Sequence, residues 1–119
     1  MIVGLLGGFI LSQAGPKKAN ADDCGSSGAT YTVVIENNRA SPEITDGQLC
    51  DRITFINKDK ITREISFGPH DKHIPYNGVA EKYLNKNESL TITMNQPGSI
   101  YFHDHNHEEA SGYFNVYKK

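Results

Sequence analysis

Tryptophan is absent, cysteine occurs only twice, and neither sign of charge prevails among the 119 residues, which carry 12 Lys+Arg and 14 Asp+Glu. Each scarcity removes a class of function. A formal charge of −2 without a basic run leaves little to neutralise phosphates, so nucleic acid is excluded as a partner. No serine stands in a nucleophile-elbow context and no cysteine in a reactive motif, so the chain offers no catalytic dyad or triad. No stretch of ten residues shows a convincing 3.6-residue period, and neither repeats nor low-complexity segments occur. What is present is six Tyr, five Phe and apolar runs at short intervals. That suffices for the core of one small globular domain and excludes disorder by composition.

The front of the chain reads separately. Positions 2–11 (IVGLLGGFIL) are apolar and uncharged, too short to cross a bilayer as a helix. Ala19-Asn20-Ala21 follows as a small-x-small triplet, the pattern of a secretory signal cleaved after Ala21. The alternative is an uncleaved N-terminal membrane anchor over the same residues 1–21. Both place residues 22–119, the folded domain, outside the cytoplasm, in a periplasm or at a cell surface. In an exported domain the pair Cys24 and Cys50 is most simply a disulfide. Two thiolate metal ligands are the weaker reading, since neither has a partner at CxxC spacing.

Beyond the leader the apolar residues alternate. Positions 30–36 (TYTVVIE) set Tyr31, Val33 and Ile35 on one face. Positions 53–57, 62–67, 89–95, 99–104 and 113–117 read as further strands, with Leu90, Ile92 and Met94 inward and Gln96-Pro97-Gly98 a turn. Short strands with turn punctuation predict an all-β antiparallel sandwich or barrel. Residues 68–80 have little periodicity, and a long loop on a small sandwich is a usual seat of function.

All five histidines fall between positions 70 and 107. His70 and His73 share the long loop. His103, His105 and His107 alternate at the end of the penultimate strand, where residues i and i+2 project side by side. An HxH pair on a strand is a ready bidentate chelate, and an HxxH turn folds into a second. Four neutral imidazoles suit Cu(II), Ni(II) or Zn(II); copper heads the affinity order and favours tetragonal nitrogen ligation, whereas zinc requires tetrahedral closure. His107 joins them, as a fifth donor, only if the strand stays extended. Asp104 points to the opposite face and reads as structural.

Three segments carry a resemblance. Gly47 followed by Ile53-Thr54-Phe55-Ile56-Asn57-Lys58-Asp59 is similar to the cupredoxin "VTFxNxD" pattern. Asn87-Glu88-Ser89-Leu90 with Pro97-Gly98-Ser99-Ile100-Tyr101-Phe102 resembles its "GES…PGxYxF" hairpin, and Gly112-Tyr113-Phe114-Asn115-Val116 its closing strand. The resemblance runs from about Thr30 to Lys118 and implies a Greek-key β-sandwich of about 7–8 strands with copper at one end. It also shows departures. Arg63 stands where a blue-copper cupredoxin has a histidine, Asp104 where it has its cysteine, and Ala110 or Ser111 near its methionine; only His107 matches a ligand position. Without a thiolate the blue site is not expected. Phe102-His103-Asp104-His105 resembles instead the "YHSH" copper motif of multicopper oxidases. It also resembles the "YHDH" strand end of exported bacterial cupredoxin-like proteins, whose "DPHPxH" loop matches His70 and His73. The expectation is a protein that carries, sequesters or tolerates copper, with a copper donor or acceptor as partner. Redox chemistry at the same copper, by electron transfer or small-molecule turnover, is the alternative.

Overall fold

The computed structural model describes Cys24 and residues 28–119. The leader read over residues 1–21 lies outside the described residues. Nine strands follow in chain order: β1 (Thr30–Glu36), β2 (Arg39–Ser41), β3 (Ile44–Gln48), β4 (Arg52–Asn57), β5 (Arg63–Phe67), β6 (Glu81–Leu84), β7 (Ser89–Thr93), β8 (Gly98–Asp104) and β9 (His107–Tyr117). They form a β-sandwich of a four-stranded sheet, β2-β1-β4-β7, and a five-stranded sheet, β3-β9-β8-β5-β6.

The sheets are mixed rather than purely antiparallel. β1 runs parallel to β4, and β3 parallel to β9. The reason is the path of the chain. After the β1–β2 hairpin, whose Asn37 and Asn38 both take positive φ as a tight primed turn requires, β3 joins the other sheet. β4 then re-enters the first sheet beside β1 with the same direction, as a crossover connection dictates.

Period-2 alternation supplies the core. Val33 and Ile35 of β1, Ile53 and Phe55 of β4 and Ile92 of β7 face Ile65 and Phe67 of β5, Phe102 of β8 and Phe114 and Val116 of β9, all buried. Phe55 is the hub, with its ring 4.9 Å from Phe102, 5.8 Å from Phe67 and 6.2 Å from Phe114. These tilted and edge-on contacts are the preferred aromatic arrangement. Met94 follows β7 into the core as its inward register demands, seated against Gly47, where any Cβ would collide with its sulfur at 2.6 Å.

β5 is buried on both faces. Its inner residues belong to the core, while outer Glu64 and Ser66 are covered as well. The long segment 68–80 leaves β5 at Gly68 (φ 82°) and returns to β6. Gly68 N–H donates to Tyr101 C=O and Ile74 N–H to Phe67 C=O, both at 2.9 Å, laying the loop along the strand ends. Its far end is pinned by buried Tyr76, whose hydroxyl donates to Gln96 C=O (2.6 Å) and accepts from Gln96 N–H (2.9 Å). Burial pushes the Tyr76 hydroxyl up to about 12, so it stays protonated.

Cys24 and Cys50 are joined as a disulfide, with Cα atoms 5.1 Å apart. It fixes the N-terminal segment to the β3–β4 turn.

Candidate metal centre

The end of β8 places two kinds of residue on its two faces. Phe102 and Asp104 face inward and His103 outward, as the strand period requires. A register shift after His103 opens β8 from β9, and His105, one residue past the strand, is held by its N–H donating to Glu64 C=O at 2.9 Å. His103 and His105 thus stand side by side, ring centroids 6.2 Å apart. A turn closed by Lys72 N–H on Pro69 C=O (3.1 Å) folds His70 and His73 over them.

Four imidazoles converge. His70 stacks on His105 with centroids 4.5 Å apart and planes 6° from parallel. His73 meets His105 edge-on, and its Nε2 lies 3.0 Å from His105 Nδ1. Both loop rings contact His103, at 5.7 Å from His70 and 5.3 Å from His73. One donor nitrogen each from His70, His103 and His105 falls within 4.8 Å of the others, the one such metal-ligating group among the described residues. The exposure is graded: His103 is fully buried, the His73 side chain is 13% exposed and that of His70 43%.

His103 is the anomaly. Beneath a roof of histidines and stacked on Tyr101 (5.1 Å, 18°), its Nδ1 and Nε2 both lack a hydrogen-bond partner. Burial, aided by neighbouring His73, holds its imidazole below the ordinary histidine value, so it is neutral and keeps a free lone pair. An orphaned buried polar group costs roughly 1–3 kcal/mol. A metal ion would take the lone pair and lower that cost. The His73–His105 spacing fits this: two nitrogens at zinc-like distances of about 2.0–2.1 Å from one ion stand about 2.9 Å apart at right angles and about 3.4 Å apart in a tetrahedron.

The other sequence candidates lie elsewhere. His107, half exposed, has its Nδ1 3.4 Å from Asp104 Oδ2 and makes no ring contact with the four. It turns away because β9 starts at His107, past the turn that ends the extended run. Asp104 is fully buried and accepts from Arg63 Nη1 at 2.9 Å, Asn106 N–H at 3.0 Å and Glu64 N–H at 3.3 Å. Arg63, itself 2% exposed, also donates to Asp59 and Asn38. Burial opposes its charge, but hydrogen bonds to Asp104 and Asp59 prevail and raise it further above the solvent range. The inner end of the sandwich is therefore filled by an ion pair, and the histidines gather on the outer face of the five-stranded sheet. Among the described residues sulfur is not within their reach: both cysteines are in the disulfide, and Met94 is in the core.

Sequence reasoning missed two carboxylates at the rim. Glu81 Oε1 lies 3.4 Å from His73 Nδ1, and Glu108 Oε1 lies 3.5 Å from His70 Nδ1. Glu81 opens a strand too short and polar to be read, and Glu108-Glu109 reads from the sequence as a solvated loop that attracts cations only by its charge. Neighbouring Glu64 and His73 hold the Glu81 carboxyl below its ordinary value.

No protein-family model matches the chain, and no curated protein matches it. Solved structures do. A purple cupredoxin from Nitrosopumilus maritimus aligns with a TM-score of 0.64 over 72% of this chain and 98% of its own, at 17% identity. A reduced tryptophan-to-tyrosine variant of amicyanin gives 0.61 over 84% of this chain and 91% of its own, at 15% identity. A methionine-to-alanine variant of amicyanin in its Cu(I) form gives 0.59 over the same shares, at 15% identity. The chain thus has a cupredoxin-like fold.

Proposed function

We propose that this is an extracytoplasmic copper-binding protein in which His70, His73, His103 and His105 hold Cu(II) in a nitrogen-only, non-blue site, for copper carriage, sequestration or tolerance. The observation that carries this is His103, a wholly buried imidazole with both nitrogens unpaired among three other imidazoles. The likeness to copper proteins of the same fold supports copper as the metal, with zinc as the alternative for the same donors. Location outside the cytoplasm is supported by the disulfide and by the leader read over residues 1–21.

The bound ion supplies a Lewis-acidic, cupric centre. His103 provides the buried donor, His105 and His73 a closely spaced pair, and exposed His70 the movable donor through which metal enters and leaves. Imidazoles alone favour the cupric state, which suits holding and handing over copper better than rapid electron exchange. Titration with Cu(II) followed by optical and EPR spectroscopy tests the reading. A weak d–d band with a large parallel hyperfine splitting, saturating at one copper per chain and lost in His103→Ala, is expected. An intense visible charge-transfer band, which requires a thiolate, or no binding at all, overturns it.

A further inference from the structure

Both loop histidines have their Nδ1 near a carboxylate at the rim of the cluster. His73 turns Nε2 inward, 3.0 Å from His105 Nδ1, and Nδ1 outward toward Glu81 Oε1 at 3.4 Å. His70 has its Nδ1 3.5 Å from Glu108 Oε1. The carboxylates come from β6 and β9, the strands on either side of the β5–β8 pair that underlies the histidines. One acid therefore stands at each flank of the cluster, half exposed. Glu108 is itself placed by the Tyr101 hydroxyl, which donates to its other oxygen at 3.4 Å, and Tyr101 is the ring stacked on His103.

We propose that Glu81 and Glu108 are the positioning and charge-matching residues of this site, making it selective for divalent over monovalent ions. The inference deepens the reading above and rests on it. A carboxylate facing Nδ1 fixes the proton there, so each loop histidine presents Nε2 to the metal already in the correct tautomer. Glu81 and Glu108, with Glu64 beside Glu81, also bring negative charge to an otherwise uncharged donor set. That charge attracts Cu(II) or Zn(II) more than Cu(I), so the pair favours the dication by electrostatics and not by donor type.

The test compares the wild-type chain with Glu81→Gln/Glu108→Gln, using Zn(II), Cu(II) and, under anaerobic conditions, Cu(I) as probes in chelator competition. Glu36→Gln, an exposed carboxylate on the other sheet, controls for net charge. The double variant is expected to lose roughly 10–100-fold in Zn(II) and Cu(II) affinity, the usual effect of removing such outer partners. Cu(I) affinity is expected to stay within a few-fold, so that each tenfold of difference raises the reduction potential by about 59 mV. In the metal-free wild type, long-range proton–nitrogen NMR should show His70 and His73 as Nδ1–H tautomers. Equal losses for Cu(I) and Cu(II), no loss of divalent binding, or Nε2–H tautomers at both histidines overturn the proposal while leaving the copper site standing. A wild-type chain that binds no divalent ion overturns both.

Discussion

His103→Leu should be more stable than the wild type without metal and less stable than the wild type with metal bound. In the metal-free chain His103 is fully buried with both ring nitrogens unpaired, so substitution by an apolar side chain of similar size removes a cost of about 1–3 kcal/mol. Against this stands the lost stack on Tyr101, worth about 0.5–1.5 kcal/mol. The balance is a gain of about 1 kcal/mol, or about 4–8 °C in Tm for a domain of this size. With copper or zinc at a hundred times its dissociation constant, the wild type gains about 2.7 kcal/mol by mass action, and the variant, lacking the buried donor, gains almost none. The wild type then leads by about 1.5–2 kcal/mol. Urea denaturation in the presence of a chelator, repeated with excess metal, measures both orderings. A metal-free variant destabilised by more than about 2 kcal/mol would mean that the imidazole is structurally satisfied, and the case for His103 as a waiting ligand collapses.

Arg63→Leu should cost about 3–5 kcal/mol by stranding the Asp104 carboxylate, while Arg63→Leu/Asp104→Leu recovers most of it; thermal melts of both decide. His107→Ala should leave metal affinity unchanged and alter stability by less than about 1 kcal/mol, since its ionic contact with Asp104 is half exposed on the His107 side; a tenfold affinity loss returns it to the ligand set. Acid should destabilise the metal-free fold in two windows. Burial lowers His103, so below the ordinary value of 6.5 the unfolded chain takes up a proton that the folded one does not. Burial opposes ionisation of Asp51 and Asp59, yet backbone N–H groups around Asp51, and Arg63 with two backbone N–H groups at Asp59, hold both below 3.8. Their contribution is full above 3.8 and lost as pH falls through the lowered values; denaturation midpoints of wild type and Asp51→Asn from pH 8 to 3 check both windows. Reducing Cys24–Cys50, 26 residues apart, should lower stability by about 3.5 kcal/mol on the chain-entropy estimate.

Much of this architecture was legible in the sequence, and its gaps have physical causes. β1, β4, β5, β7 and β8 announce themselves because large apolar residues occupy every second position. β9 was read only from Tyr113 because its earlier inward positions are Ala110 and Gly112, which carry no hydrophobic signal. β3 turns Thr45 and Gly47 inward, and β6 is an exposed edge with one buried residue, so neither alternates in hydrophobicity. The parallel pairings depend on which sheet each strand joins, information no local pattern holds. At the centre, the grouping of His70 and His73 with His103 and His105 followed from turn and strand spacing. The place of His107 did not, because the register shift after His103 breaks the period on which its inclusion depended. Nor did spacing reveal Glu81, brought to the cluster through strand pairing with β5.

The Cys24–Cys50 bridge also fixes the pole of the domain at which the described chain begins. Cys50 adjoins the start of β4, while His105 is bonded to Glu64 near the start of β5, the strand that follows the other end of β4. The six residues of β4 separate the two poles by about 17 Å. A chain retained in a membrane through residues 1–21 would be moored at the disulfide pole, with its histidines pointing away from the bilayer toward passing ions and visiting proteins.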